Sequence, residues 1–292
     1  MTHKAGFVNI IGKPNVGKST LMNGLVGESL SVITSKAQTT RHRIMGIVNG
    51  DDFQIVYSDT PGMIKPTYEL QKSMMNYVEG AFNDADIFLF VIESGDRRIH
   101  TDLLRKLQTN EVPVIIALNK IDNLTQPEVM EDINFWKEKL PNSTVIPVSA
   151  LHKFNIETIF EVLLENLPES PAYYPKGELT DKPVRFFISE IIRGEILKFY
   201  KKEIPYSCEV YINEYKEEEN IDRFSAIIYV ARESQKMIIL GKDGQAIKKV
   251  ATRSRKEIEL FIGKKVFMEV TVKVLKDWRD NEQSLKRFGY DV

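Results

Sequence analysis

The stretch "FVNIIGKPNVGKST", residues 7–20, decides the fold of the first part of this chain. An apolar run ends at Ile11 and is followed directly by Gly12. A second glycine, Gly17, lies five residues later, immediately before Lys18 and Ser19. This is the G-x-x-x-x-G-K-[ST] pattern, in which backbone N–H groups at the start of a helix wrap phosphate oxygens. The lysine reaches the β- and γ-phosphates, and the serine hydroxyl binds Mg²⁺. The predicted phosphate-binding residues are Gly12, Lys13, Pro14, Asn15, Val16, Gly17, Lys18, Ser19 and Thr20.

The chain around this loop alternates short apolar runs with helix-like stretches from residue 5 to about residue 166. Such alternation predicts a largely parallel sheet with helices on both faces. One pair of runs is different, because "RIMGIVNG" (43–50) lies so close before "FQIVYSD" (53–59) that only a hairpin can join them. We therefore expect an α/β domain with a mixed, mostly parallel sheet.

The run "FQIVYSD" is followed by "TPG", which puts a carboxylate and a glycine beyond the end of a strand. Asp59 can hold a metal-bound water there, and the N–H of Gly62 can meet a γ-phosphate. Thr60 and Pro61 lie between them and complete this predicted segment of the site.

The motif "ALNKID" ends another buried run and places Asn119, Lys120 and Asp122 beyond its carboxyl end. Guanine presents two N–H donors to a carboxylate, whereas adenine would present a ring acceptor that leaves Asp122 unpaired. The nucleotide is therefore predicted to be GTP or GDP, and an ATP-driven enzyme is disfavoured. The last motif, "VSAL", adds Ser149, Ala150 and Leu151, with the Ala150 N–H expected to donate to the guanine carbonyl.

These motifs resemble those of the translation-factor-type P-loop GTPases, in which they read here "GKPNVGKS", "DTPG", "NKID" and "SAL". The resemblance implies a switch I threonine that binds Mg²⁺ in the GTP state. Within "SKAQTTRHR" we select Thr40 because it directly precedes Arg41, with Thr39 as the close rival. The predicted metal ligands are Ser19, Thr40 and Asp59.

Met63 follows Gly62 at the position where Ras-like GTPases carry a glutamine that orients the attacking water. A thioether cannot align water, so hydrolysis must be slow or must rely on a partner, a backbone-held water or a second cation. Asn15 matches the position at which a related group of GTPases holds K⁺, although asparagine is also a common turn former. The candidate catalytic residues are Lys18, Thr40, Gly62 and Asn15.

A second glycine loop, "GKDG" at residues 241–244, precedes a helix-like stretch that is rich in cations. Residues 241–256 contain six basic residues and one acidic residue, a local charge of +5 in a chain of net charge −1. No Lys-Ser or Lys-Thr pair follows, so this loop is not a second nucleotide site. It fits the G-x-x-G loop of KH domains, which clamps single-stranded RNA, although a helix cap and a solvated helix face are alternatives. The predicted RNA-binding residues are Gly241, Lys242, Asp243, Gly244, Lys248, Lys249 and Arg253.

Four prolines in "LPESPAYYPKGELTDKP" (167–183) separate the two parts of the chain. Proline lacks a backbone donor and disfavours helix in the residue before it, so we interpret this stretch as a linker. Beyond it the pattern predicts helix, strand, strand, helix, loop, helix and strand, the α+β order of a type II KH domain. We expect a GTP-binding domain over 1–170, a linker over 171–184 and a KH domain over 185–292.

A P-loop GTPase followed by a KH region is similar, nearly end to end, to the Era family of bacterial ribosome-assembly GTPases. The similarity extends through "AQTTRHRI", "YYP", "LTD" and "EIIRGEIL". It implies a monomer that binds the 3′ end of 16S rRNA in 30S ribosomal subunit biogenesis, in the cytoplasm and peripherally on the inner membrane. The family usually has glutamate after "EIIR", whereas this chain has Gly194. A glycine inside a helix costs about 0.5–1 kcal/mol relative to alanine, so we expect it to loosen that helix without touching either site.

Length and composition limit how many domains the chain can form and which classes of protein it can belong to. A chain of 292 residues with 42% hydrophobic content can bury two cores. No apolar run approaches a membrane span and the N-terminus has no signal-like pattern, so we expect a soluble protein that is not exported. The competing hypothesis is a signalling GTPase that recruits a protein or a membrane partner through its C-terminal half.

Overall fold

The computed structural model describes residues 2–98 and 101–292, which divide into two compact units. The first unit consists of Met1–Ser31, Thr40–Ile64 and Met75–Asp181. The second consists of Val32–Thr39, Lys65–Met74 and Lys182–Val292. Two short segments from the N-terminal half of the sequence therefore belong to the unit that holds the C-terminal half.

The first unit contains a six-stranded sheet in the order β2-β3-β1-β4-β5-β6. All neighbouring strands pair in parallel except β2 and β3, which are antiparallel as the short connection between them predicts. The predicted mixed, mostly parallel sheet is confirmed. The strands are β1 (Lys4–Ile11), β2 (Ile44–Asn49), β3 (Phe53–Asp59), β4 (Ile87–Glu93), β5 (Val114–Asn119) and β6 (Thr144–Pro147).

Among the residues that the structure describes, five helices alternate with these strands along the chain. They are α1 (Lys18–Val26), α2 (Glu69–Asn83), α3 (Thr101–Thr109), α4 (Gln126–Lys139) and α5 (Ile156–Asn166). All six residues of β5 are buried, because a parallel strand in the centre of such a sheet is covered on both faces. Trp136 of α4 packs edge-on against Phe90 of β4, with ring centroids 5.8 Å apart. This contact holds α4 against the face of the sheet.

The proline-rich stretch before residue 182 is hydrogen-bonded along the first unit. The N–H of Ala5 donates to Pro168 O at 3.1 Å, and the N–H of Ile47 donates to Leu179 O at 2.9 Å. Buried Gln54 accepts from the N–H groups of Tyr173 and Tyr174 at 2.7 and 3.0 Å, and its Nε2 donates to Tyr174 O at 2.8 Å. The part of the expected linker up to residue 181 is therefore an ordered strip on the sheet.

The second unit contains a three-stranded sheet in the order β7-β8-β9, in which β7 and β8 are antiparallel and β8 and β9 are parallel. Its strands are β7 (Cys208–Lys216), β8 (Ile221–Val230) and β9 (Lys265–Val274). Its helices are α6 (Val184–Phe199), α7 (Glu233–Leu240), α8 (Gln245–Ile262) and α9 (Glu282–Arg287). The order from α6 to β9 is the predicted KH order, which is confirmed.

The C-terminal end of the chain adds structure that the sequence pattern does not predict. A short turn at Trp278–Asp280 precedes α9, and Trp278 and Leu285 are both completely buried. The indole N–H of Trp278 donates to Ser207 O at 3.2 Å, and Tyr290 donates its hydroxyl to Glu209 at 2.7 Å. These contacts fasten the C-terminal residues to the start of β7.

Helix α6 continues without a break through Gly194, which is buried. A Cβ atom at this position would lie 2.6 Å from Cγ1 of Val32, closer than van der Waals contact allows. The glycine therefore serves the close approach of a neighbouring segment within the second unit.

Among residues 2–98 and 101–292, none of the helices combines the length and the apolar character needed to cross a membrane.

We expect Gln54→Leu to release the strip at residues 173–174 while the sheet stays folded. The change leaves partly buried backbone groups of Tyr173 and Tyr174 without partners, at a cost of up to about 1–3 kcal/mol for each such group. Hydrogen exchange at the Tyr173 and Tyr174 amides and the rate of trypsin cleavage after Lys176 should both rise. The matched control is Gln126→Leu at the exposed start of α4, which should change neither. Unchanged exchange in Gln54→Leu would show that Gln54 does not hold the strip.

Candidate functional sites

The loop between β1 and α1 has the backbone geometry that its glycines predict. Gly12 and Gly17 have φ angles of 150° and 100°, values that disfavour any side chain. A Cβ at Gly12 would lie 2.4 Å from Val91 O, and one at Gly17 would lie 2.2 Å from Nδ2 of Asn119. The loop thus needs both the left-handed backbone and the missing side chains.

The other loop residues take different positions. Asn15 is exposed and left-handed with φ 64°, whereas Val16 is buried in the core. Lys13 Nζ contacts Asp96 Oδ2 at 2.7 Å, so its side chain is held at the edge of the loop. Pro14 and Thr20 are both partly buried, and Thr20 lies in the first turn of α1.

Lys18 is buried with its ammonium at the mouth of the loop. Its Nζ donates to Gly12 O at 3.2 Å and to Lys13 O at 2.9 Å. Burial lowers the pKa of Lys18 to about 8, and the nearby charge of Asp59 acts in the opposite direction. An ammonium has three donors, so two hold the loop and the third can meet a phosphate.

The hydroxyls of Ser19 and Thr40 meet at the carboxylate of Asp59. Ser19 donates to Asp59 Oδ2 at 2.7 Å, Thr40 donates to the same atom at 3.3 Å, and the two hydroxyl oxygens are 3.0 Å apart. By contrast, the side chain of Thr39 bonds to Thr34 and to Lys36 O. The structure therefore brings Thr40, and not its rival Thr39, to the predicted metal ligands.

Asp59 itself is completely buried, and its Oδ1 has no hydrogen-bond partner within the described residues. Burial raises the pKa of Asp59, whereas the charge of Lys18 and the hydrogen bonds from the hydroxyls lower it. A buried carboxylate oxygen without a partner calls for a cation or a water. With two hydroxyls beside it, this donor set fits a small hard cation such as Mg²⁺.

Sequence reasoning missed Ser31, whose hydroxyl donates to Asp59 Oδ2 at 2.9 Å. The backbone of Ser31 is in turn held by the side chain of Asn23 in α1, at 2.9 Å to its N–H and 2.8 Å to its carbonyl. Ser31 lies between Leu30 and Val32 and belongs to none of the sequence motifs, so only the fold could reveal this contact.

The segment after β3 lies against the phosphate loop. Gly62 is so close to Pro14 that a Cβ would meet its backbone at 2.7 Å, and the N–H of Met63 donates to Gly12 O at 3.3 Å. Thr60 donates its hydroxyl to Ile10 O at 2.8 Å, and Pro61 is buried beside it. Gly62 thus lies where the sequence places it, while the side chain of Thr60 ties β3 to β1.

The side chain of Asn119 forms hydrogen bonds both to the phosphate loop and to the "VSAL" segment. Its Nδ2 donates to Val16 O at 2.8 Å, and its Oδ1 accepts from the Ala150 N–H at 2.9 Å. The Ala150 N–H, which we expected to face the guanine carbonyl, is therefore engaged by Asn119 in this structure. Lys120 is left-handed with φ 66°, and its Nζ contacts Glu93 at 2.8 Å.

Asp122 is an exposed carboxylate held in place by Ser149, whose hydroxyl donates to its Oδ1 at 2.5 Å. This hydrogen bond lowers the pKa of Asp122 and keeps the group ionised at neutral pH. An ionised carboxylate accepts hydrogen bonds only, which suits the two donors of a guanine edge. Leu151 follows in an exposed turn.

The second glycine loop joins α7 to α8. Gly241 and Gly244 both have positive φ angles, 69° and 72°, and a Cβ at Gly241 would lie 2.6 Å from the Cβ of Ala246. Lys242 and Asp243 between them are exposed. The sequence therefore forms the tight helix-to-helix turn that a G-x-x-G loop requires.

Helix α8 buries one stripe and exposes its cations. Val250, Ser254 and Ile258 are buried at helical spacing, which directs Lys248 and Lys249 towards solvent. The guanidinium of Arg253 lies over the ring of Phe199, 5.8 Å from its centroid.

Two large apolar side chains near this loop were missed by sequence reasoning. Met237 and Ile238 of α7 are 64% and 52% exposed. Exposed apolar groups beside a basic loop are typical of a binding surface.

Comparisons with known proteins agree with this geometry. A family model described as "50S ribosome-binding GTPase" matches residues 7–120, and a KH domain model matches residues 203–279. A protein of Oryza sativa subsp. japonica described as "GTPase ERA-like, chloroplastic" is 44% identical over 295 residues. The match covers 99% of this chain and 70% of that protein.

Two solved structures are similar over the whole chain. One is Era in complex with MgGDPNP and nucleotides 1506–1542 of 16S ribosomal RNA, and the other is a variant of Aquifex aeolicus Era bound to GDP and AlF4-. Each has a TM-score of 0.94 and 36% identity, and each match covers 99% of this chain and 100% of the other. This chain therefore belongs to the Era family and is a GTP hydrolase with a C-terminal KH domain.

Proposed function

We propose that this GTPase uses its KH domain to bind the 3′ end of 16S rRNA and acts in the assembly of the small ribosomal subunit. The observation that carries the proposal is the G-x-x-G turn at 241–244 followed by the exposed lysines of α8. The similar Era structure contains nucleotides 1506–1542 of 16S rRNA. Bare backbone next to projecting cations is the chemistry that KH domains apply to single-stranded RNA.

The charge distribution supports RNA as the partner of this surface. The chain as a whole has a net charge of −1, so a general attraction to polyanions does not explain binding. The local excess of +5 over residues 241–256 is confined to the loop and α8. Neutralised phosphates release counterions, so binding through this surface should weaken steeply as salt is raised.

The residues around Asp59 support Mg²⁺ as the metal of the nucleotide site. Ser19 and Thr40 would hold the ion directly, and Asp59 would hold it through a bound water. When bound there, Mg²⁺ supplies positive charge to the β- and γ-phosphates. The ion also gives the buried carboxylate oxygen of Asp59 a compensating charge nearby.

Residues of the chain itself bind the phosphates and the guanine base of GTP. Lys18 donates to the phosphates from the mouth of the loop, and the N–H of Gly62 lies beside the same loop to meet the γ-phosphate. Asp122 binds the guanine edge, with Ser149 fixing its orientation. Met63 cannot orient the attacking water, so its alignment depends on a backbone group, a partner or a second cation.

The position of Asn15 supports the assignment of K⁺ as the second cation, because Asn15 is an exposed residue of the phosphate loop. An amide oxygen there could ligate the ion and add charge beside the phosphates. Its left-handed backbone also suits an asparagine that acts only as a turn former.

We further propose that the chain acts as a monomer in the compartment where its ribosomal subunit is assembled, the bacterial cytoplasm. Anionic lipid headgroups attract the same basic surface as RNA phosphates, which supports a peripheral contact with the inner membrane. The relative from Oryza sativa is described as chloroplastic.

The pKa of Lys18 leads to a pH dependence of GTP binding. Only the charged amine of Lys18 pairs with phosphate. At a pH above the Lys18 pKa of about 8, the free protein must therefore take up a proton when it binds GTP. Affinity should therefore fall as the pH rises through this value, by up to about tenfold per pH unit. Calorimetry in buffers of different ionisation enthalpy should detect the proton uptake. Lys18→Arg, which stays charged, should bind GTP without proton uptake, and equal uptake in both proteins would contradict the assignment.

Hydrolysis should be faster in potassium than in sodium at equal ionic strength, by at least about tenfold if K⁺ supplies charge to the transition state. Asn15→Gly should remove the difference while the left-handed loop backbone is kept. Initial rates of phosphate release provide the measurement. Equal turnover of the unaltered protein in both salts would leave Asn15 a turn former only.

The double reversal Lys248→Glu with Lys249→Glu should weaken binding of a single-stranded RNA with the 16S 3′-end sequence. It should also reduce the slope of log affinity against log salt by at least about 1.4, the share of two phosphate contacts on a single strand. GTP affinity should not change. Lys137→Glu with Lys139→Glu on α4 is the matched control for net charge. If RNA binding and its salt slope stay unchanged, a protein or membrane partner becomes the better explanation of the C-terminal unit.

A further inference from the structure

The end of β4 and the residues that follow it contact two motifs of the nucleotide site, and all of these residues lie in the first unit. On one side the segment meets the phosphate loop, and on the other side it meets the "NKID" motif. The sequence motifs assign no role to any residue of this segment. We refer to Glu93–Arg98 as the β4 loop.

Lys13 makes the contact between the phosphate loop and the β4 loop. Its ammonium pairs with Asp96 Oδ2 at 2.7 Å and donates to Arg98 O at 2.7 Å. Hydrogen bonds from Arg98 and Lys13 lower the pKa of Asp96, so this carboxylate is ionised at neutral pH. The carbonyl of Lys13 accepts from Nζ of Lys18 at 2.9 Å. The residue that the β4 loop holds by its side chain thus holds the phosphate-binding ammonium by its main chain.

The contact with the "NKID" motif is made at Lys120, whose backbone is left-handed with φ 66°. A lysine in this conformation is strained unless the contacts around it over-determine it. The N–H of Ser94 donates to Asn119 O at 2.8 Å, and its hydroxyl donates to Lys120 O at 2.9 Å. The ammonium of Lys120 pairs with Glu93 at 2.8 Å. Two consecutive residues of the β4 loop therefore hold the strained residue.

The conformation of Lys120 decides where Asp122 lies. Lys120 O also accepts from the N–H of Asn123 at 3.1 Å, which closes the short helical turn Ile121–Asn123. Asp122 is the middle residue of that turn. A lysine that relaxed to the common negative-φ region would redirect the turn and move Asp122 with it. The hydrogen bond from Ser94 to Lys120 O opposes that change.

A buried carboxylate anchors the β4 loop to α4. Asp132 is 2% exposed and accepts from the N–H of Gly95 at 2.6 Å and from Nε of Arg97 at 2.8 Å. The guanidinium of Arg97 also lies over the ring of Phe135, 5.5 Å from its centroid. A support that is already ordered adds no entropy cost when the nucleotide binds.

We propose that the β4 loop supports both motifs of the nucleotide site. Asp96 positions the phosphate loop through Lys13. Ser94 positions Asp122 through Lys120, and this part of the inference rests on the proposed guanine-binding role of Asp122. Loss of a contact that pre-organises a site weakens binding. Because the two residues act at opposite ends of the site, their loss should affect different parts of the ligand.

The test compares the dissociation constants of GDP and of inosine diphosphate, which lacks the 2-amino donor of guanine. In Ser94→Ala the preference for GDP should fall by at least about threefold, the effect of one modest hydrogen bond. In Asp96→Ala both nucleotides should bind at least about threefold more weakly, with an unchanged preference. The loss in Asp96→Ala combined with Lys13→Ala should be smaller than the sum of the two single losses, because Asp96 acts through Lys13.

Glu131→Ala is the matched control. Glu131 is an exposed carboxylate beside the β4 loop that pairs with Arg97 at 3.3 Å, whereas Asp96 pairs with Lys13. Its removal should change neither the affinities nor the preference. The melting temperature of each nucleotide-free variant is also measured. A folding defect in Asp96→Ala would lower it and would add to the loss caused by Lys13→Ala, contrary to the inference.

Asp122→Asn separates this inference from the role of Asp122 itself. If the preference for GDP falls in Asp122→Asn and stays unchanged in Ser94→Ala, Ser94 is not a positioning residue and the guanine-binding role stands. If neither variant changes the preference, the role of Asp122 fails and that of Ser94 fails with it. Unchanged affinities in Asp96→Ala, or losses that simply add to those of Lys13→Ala, would overturn the role of Asp96.

Discussion

The buried charge of Asp59 is the constraint on which the nucleotide site depends. A carboxylate with no solvent exposure is costly unless opposite charge and hydrogen-bond donors surround it. Here the hydroxyls of Ser19, Ser31 and Thr40 point to one of its oxygens, and the ammonium of Lys18 lies close by. Lys18 and Ser19 lie at the start of α1, whereas Ser31 and Thr40 lie at two places between α1 and β2. The charge of Asp59 therefore holds separate segments of the chain together. The other oxygen, Oδ1, has no hydrogen-bond partner within the described residues and so calls for a cation or a water.

Helix α6 makes two sets of contacts within the second unit. One side of the helix packs in the KH core, while Arg193 and Gly194 contact the two ends of the segment Val32–Thr39. Packed helices change arrangement in discrete steps and deform little, so such a helix can transmit a change from one set of contacts to the other.

Much of the fold could be predicted from local patterns. Buried runs such as β5 identify central parallel strands, and the short connection between β2 and β3 permits only a hairpin. The glycines of both loops were predictable because their spacing matches a backbone requirement. The turn at Trp278 and helix α9 were not, since six helical residues are too few to show a period. Nor could four prolines reveal that residues 173 and 174 bond to the sheet through Gln54.

The sequence by itself determined the chemistry of this protein: a guanine nucleotide site, a basic G-x-x-G turn and membership of a two-domain GTPase family. These follow from short contiguous motifs, whose function depends on local backbone and neighbouring side chains. Tertiary structure alone decided which threonine reaches Asp59, that Ser31 joins it, and that the Ala150 N–H is engaged by Asn119. It also decided that Gly194 makes room for Val32, residues 162 positions apart. Contacts between distant segments depend on how separate elements pack, and no local pattern records that packing.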